Sequence, residues 1–151
     1  MDLFHTSPAK IDKIHTSGRF GEFLFFSDRV YVMTAGSFQT YKLELSEDDV
    51  IPAGRLFWHD DAEKLQPLVA ELAARLGVSE EDAEALIEES KFAHDIDSIA
   101  PEDAADASWD VQLFTARAAK ALGYRAVQVS DETGCSWMVD MLGREAELVR
   151  A

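Results

Sequence analysis

Two groups of side chains in this sequence have types suited to chemistry, and they lie at opposite ends of the chain. Near the start, His5 closes the first apolar segment beside Thr6 and Ser7, where its imidazole would face a cleft. An imidazole there can hold a ligand or move a proton near neutral pH. Near the end, Asp131 and Glu132 stand at the tip of another apolar segment, where a carboxylate projects free instead of being buried in a sheet. A fixed carboxylate can stabilise positive charge that grows in a transition state. Asp131 also has a plainer reading, because Asp commonly starts or caps a turn.

Other constellations are weaker. His59-Asp60-Asp61 and His94-Asp95-Ile96-Asp97 carry ligands for a hard cation, but helix capping is the simpler role, and no metal is expected. The single cysteine, Cys135, excludes an internal disulfide framework and reads as a buried, inert thiol within a strand. The eight glycines are scattered, so there is neither a phosphate-binding loop nor a dinucleotide fingerprint. No serine sits in a nucleophile elbow.

The chain has 151 residues and a formal charge of −15, which suits one domain with its own core. Such an acidic balance argues against wrapping nucleic acid. No apolar run is long enough to span a membrane and no signal-peptide pattern opens the chain, so a cytoplasmic protein is expected. The charge is unevenly placed. Residues 1–45 sum to zero and residues 107–151 to −1, whereas residues 46–106 hold eighteen acids and four bases. A single domain over residues 1–151, interrupted by an acidic, largely helical insertion over 46–106, is the organisation this predicts.

The elements that must carry the two groups follow from local pattern. Met1–His5 and Phe23–Phe26 read as strands, with a short helix from Ser7-Pro8 between them and a further apolar segment at Val30–Met33. Gln39–Leu45 alternates with period two, as a half-buried strand does. Leu65, Leu68, Val69, Leu72 and Leu76 fall at helical spacing and stop at Gly77; a cap at Ser79 opens a second helix. Residues 93–107 read as a surface connection. Ser108 is expected to cap a third helix ending at Gly123, followed by a hairpin of Tyr124–Val129 and Cys135–Val139 and an edge strand near 146–149. The class is α+β, helices against a small mixed or antiparallel sheet.

The segments LFHTS and SGRFGEFLFFS, followed by TYKLELSEDDVI, resemble the early motifs of ADP-ribosyltransferases of the diphtheria-toxin and poly-ADP-ribose-polymerase type. WDVQLFTARAAKALGYRAVQVSDETGCSWMV, residues 109–139, is similar to the C-terminal part of the anti-CRISPR ADP-ribosyltransferases that inhibit type I-F systems. The two blocks, 3–45 and 108–139, cover about half of the chain. The resemblance implies a small split β-sheet with flanking helices, and NAD as substrate. It implies that His5 contacts NAD with Thr6 and Ser7 beside it, Thr6 standing where the family usually has Gly. Phe25, Phe26 and Ser27 would line the nicotinamide pocket, and Arg19 would help neutralise the pyrophosphate. The family's central Tyr has no clear counterpart, and Tyr31 is the candidate. Asp131 matches the family's acidic residue on the late strand and is the expected catalytic carboxylate, with Glu132 second.

Two functions follow as expectations. The first is an NAD-dependent mono-ADP-ribosyltransferase that modifies a host protein with a basic surface, a CRISPR surveillance-complex subunit. The second is a non-enzymatic acidic inhibitor that presses residues 46–106 into a basic nucleic-acid-binding groove.

Overall fold

The computed structural model describes residues 2–7, 23–28, 39–131, 134–141 and 144–150. Its strands are β1 (Asp2–Ser7), β2 (Phe23–Phe26), β3 (Gln39–Glu44), β4 (Val50–Pro52), β5 (Ala126–Asp131), β6 (Gly134–Asp140) and β7 (Val149–Arg150). Its α-helices are α1 (Gln66–Leu76), α2 (Glu80–Ile87) and α3 (Ala104–Ala121). The expected helix after Ser7 and the segment Val30–Met33 lie outside the described residues.

The strands form two sheets, a three-stranded one in the order β1-β3-β7 and a four-stranded one in the order β2-β6-β5-β4. Strand β2 is apolar at every position, so both its faces need cover. Its period-two alternation divides them: Phe23 and Phe25 turn to a helical layer, while Leu24 and Phe26 turn to the three-stranded sheet. Strand β6 splits in the same way, with Met138 on the helical side and Trp137 and Val139 on the other. The four-stranded sheet is therefore the middle of three layers. The helical side holds the larger core, built from Leu72, Leu86, Ile87, Phe114 and Val127 among others. The sheet-to-sheet side is closed by Leu3, Phe26, Leu43, Trp137, Val139 and Met141.

The helices start and stop where local chemistry requires. Gly77 ends α1 at φ 68°, the left-handed conformation that favours glycine. The Ser79 hydroxyl accepts the Asp82 amide at 3.1 Å and caps α2. Helix α3 begins a turn earlier than its expected cap: Ser108 lies inside it, donating to the Ala104 carbonyl at 2.9 Å.

The largest departure concerns the acidic segment. Strand β4, too short to register as a periodic pattern, pairs parallel with β5. Parallel neighbours need a crossover connection, and α1, α2 and α3 provide it. The segment 46–106 thus supplies an edge strand and half of the main core, with most of its acids on the solvent side. It is woven into the fold and is not an addition to it. Cys135 also differs from expectation: it is exposed, beside Gly134 at the hairpin end of β6. Among the described residues, no helix is long and apolar enough to cross a membrane.

Candidate active site

The two sheets touch where β1 passes the end of β2. Phe4 and Ser27 exchange backbone hydrogen bonds, both 2.8 Å, in an isolated antiparallel bridge. His5, the next residue, fastens the junction from its side chain. Its Nδ1 lies 2.6 Å from the Phe25 carbonyl oxygen, and its ring stands 5.5 Å from that of Phe26, tilted by 49°. A carbonyl only accepts, so Nδ1 carries the proton, and neutral His5 keeps Nε2 as an acceptor.

Burial lowers the His5 pKa from the ordinary 6.5, against the smaller opposing pull of the Phe25 carbonyl. The unfolded chain then binds a proton before the folded one, so stability contributed at neutral pH is lost as pH falls through 6.5. Urea unfolding at pH 7.5 and 5.5 measures this. The wild type is expected to lose more stability between the two than His5→Gln, which keeps a donor but does not titrate.

The hairpin of β5 and β6 places Asp131 relative to that junction. Phe26 lies opposite Trp137, Trp137 opposite Gln128, and Asp131 opposite Gly134 at the end of the ladder. The end of β2 that meets β1 is therefore the end of the sheet where the hairpin turns, with β6 between β2 and β5. Ser130 and Asp131 prove to be the last residues of β5, not turn residues. Thr6 and Ser7 continue β1 just past His5, opposite Thr40 and Gln39. Ser27 is buried at the junction. Arg19, Tyr31 and Glu132 lie outside the described residues.

A cavity of about 460 Å³ opens on the helical side of β2, lined by Phe25, Ala105, Ser108, Trp109, Gln112 and Ser136. A second, of about 400 Å³, shares Ser108 and Gln112 with it and runs on to Glu89, Thr115 and Ser130. Of the residues expected at the site, Phe25 reaches the first of these. Trp109, Gln112 and Glu89 were not anticipated; the spacing of 105, 108, 109 and 112 on one helix face is the signal that marks this wall. Glu89 is half-buried and burial raises its pKa, while the Ser130 amide pulls the other way.

Two of the candidate cation ligands serve the backbone. His59 Nδ1 accepts the Asp61 amide at 3.0 Å, and the Asp95 carboxylate accepts the Phe92 amide at 3.0 Å. Among the described residues, no three His, Cys, Asp or Glu side chains are grouped to hold a metal ion.

Two sheets joined at one end through His5, with helices against one face of the larger sheet, make an α+β domain. The model of the family "Anti-CRISPR Type I-F ADP-ribosyltransferase AcrIF11" matches residues 1–145, and the chain belongs to this family. A solved structure described as "Crystal structure of an anti-CRISPR protein" is similar at 26% identity and a TM-score of 0.59, over 92% of this chain and 88% of that one. No match is found among curated proteins.

Proposed function

We propose that the protein transfers ADP-ribose from NAD⁺ to a subunit of a type I-F CRISPR surveillance complex and inhibits the complex by that modification. The observation that carries this reading is the His5–Phe25 clasp at the same end of the sheet as Asp131, in a chain of this family. In the reaction the bond between nicotinamide and ribose C1′ breaks and its electron pair leaves with nicotinamide. The ribose passes through an oxocarbenium-like state, and an acceptor side chain bonds to C1′ and gives up its proton. Neutral His5 offers Nε2 to a ribose hydroxyl. Asp131 supplies the negative charge facing C1′, with Glu132 the neighbouring carboxylate. Phe25 forms the nicotinamide side, Phe26 backs the His5 ring from the opposite face of β2, Ser27 stands at the junction, Thr6 and Ser7 flank His5, Tyr31 takes the central aromatic place, and Arg19 meets the pyrophosphate. No metal is needed. Incubating the complex with labelled NAD⁺ tests the reading: label on one subunit supports it, and inhibition without label contradicts it.

The acidic segment adds a role in docking. Glu80, Glu81 and Glu84 are exposed on α2, and Trp58, 84% exposed, lies in the same segment. The acidic face of α2 suits a partner with a basic surface. Neutralising the three acids to Gln is expected to slow association with the complex by about 10-fold at low salt and to flatten its salt dependence. Stopped-flow binding measures both. If the triple variant binds normally while His5→Ala abolishes inhibition, this face takes no part in docking. If neutralisation alone abolishes inhibition and His5→Ala is silent, the protein acts as a non-enzymatic acidic inhibitor.

A further inference from the structure

We propose that Glu89 is a positioning residue for Asp131, its carboxylate continuing the hydrogen-bond ladder of β5 beyond the end of β4. The proposal rests on the assignment of Asp131 as the catalytic carboxylate.

Strand β4 accompanies β5 only from Ala126 to Gln128, opposite Val50 to Pro52. Past that point no strand among the described residues lies beside the outer edge of β5, although Ser130 and Asp131 still pair with β6 on the inner edge. The Ser130 amide, on the outer edge, is met by both carboxylate oxygens of Glu89, at 3.1 and 3.2 Å. A side chain 41 positions away in sequence thus takes the place of a missing strand, one residue before Asp131.

Glu89 holds this place in an unfavourable backbone conformation. It follows the end of α2 at φ 62°, and among the described residues it is the one non-glycine with positive φ. Glycine is the usual residue there, because a Cβ crowds the left-handed conformation. A glycine would close the helix more easily but would leave the Ser130 amide unmet. The end of α2 is also secured from the cavity wall: the buried Thr115 hydroxyl on α3 donates to the Ile87 carbonyl at 2.8 Å. The chain of contacts runs from α3 through Ile87 and Glu89 to Ser130, and so to Asp131. A carboxylate that must face one carbon of a ribose gains its rate from fixed geometry, and displacement by about 1 Å can cost about 10²-fold.

The test compares Glu89→Gly, which suits the backbone and removes the carboxylate, with Glu89→Gln, which keeps an oxygen acceptor. Turnover of NAD⁺ and exchange of the Ser130 amide are measured for both, and the glycine variant is also made in an Asp131→Asn background. Glu89→Gly is expected to lower kcat by about 10 to 10²-fold with little change in KM for NAD⁺, and to speed Ser130 exchange. Glu89→Gln is expected to restore most of both. In the Asp131→Asn background, Glu89→Gly lowers the residual rate no further, because the two act as one unit. An equal loss in both backgrounds, or faster exchange with unchanged kcat while Asp131→Asn is inactive, overturns the role of Glu89 alone. Full turnover by Asp131→Asn itself overturns the assignment of Asp131, and with it the positioning role.

Discussion

Asp131→Asn is expected to lower ADP-ribosyl transfer by about 10²- to 10³-fold, with no comparable loss of thermal stability. The substitution keeps the side chain's size and changes its charge. Asp131 is held in the fold through its main chain, as the residue opposite Gly134 that ends the β5–β6 ladder, and an asparagine makes the same main-chain bonds. What disappears is the negative charge that the proposed mechanism sets against the ribose. An oxocarbenium-like state carries positive charge that the ground state does not, so removing a fixed anion raises the barrier selectively. The effect belongs in kcat, and a rise in KM alone would point to a binding role. Nicotinamide release at saturating NAD⁺, with a melting curve of the same preparation, separates chemistry from folding. Wild-type kcat in Asp131→Asn, with loss in Glu132→Gln, would transfer the role to Glu132.

The second large effect is structural. Phe114→Ala is expected to cost about 3–5 kcal/mol, a large fraction of the 5–15 kcal/mol typical of a domain. Phe114 is fully buried on α3, in the core that α1, α2 and the four-stranded sheet share. The guanidinium of Arg117 stands 4.8 Å from its ring centre and that of Arg75, on α1, stands 6.0 Å away. Those two arginines reach Glu71 at 2.6 Å and Asp110 at 3.3 Å, tying α1 to α3 on the surface above the ring. Truncating the ring leaves a cavity where these elements meet. Because the acidic segment is a crossover and not an insertion, helix and sheet are expected to melt together. Far-UV and near-UV circular dichroism of the variant check this: coincident transitions at a lowered midpoint are predicted. A helical signal lost well before the aromatic one would show a separately folding segment.

What could be read beforehand was whatever a short stretch of chain decides by itself. The leucine stripe ending at Gly77, the Ser79 cap and the alternation of residues 39–45 each depend on near neighbours, and each appears as expected. The pairing of blocks 3–45 and 108–139 also emerged, through family resemblance. What stayed hidden depends on distant partners. Strand β4 has three residues and is defined by its pairing with β5, about 75 positions away. Without that pairing in view, a crossover has the sequence pattern of an insertion. The exposure of Cys135 depends on how far the second sheet extends over β6, which the thiol's own neighbours do not encode. Glu89 is the sharpest case. Nothing in a run of glutamates distinguishes the one whose carboxylate reaches Ser130; only the left-handed backbone at a non-glycine residue marks it.

The central claim is that this protein inhibits by covalent modification and not by occupying a groove. Intact-mass spectrometry of a purified type I-F surveillance complex, after incubation with the protein and NAD⁺, tests that most directly. One subunit is expected to gain the mass of a single ADP-ribose with the wild type and to stay unmodified with Asp131→Asn. A complex that is inhibited by the wild type while every subunit keeps its original mass would contradict it.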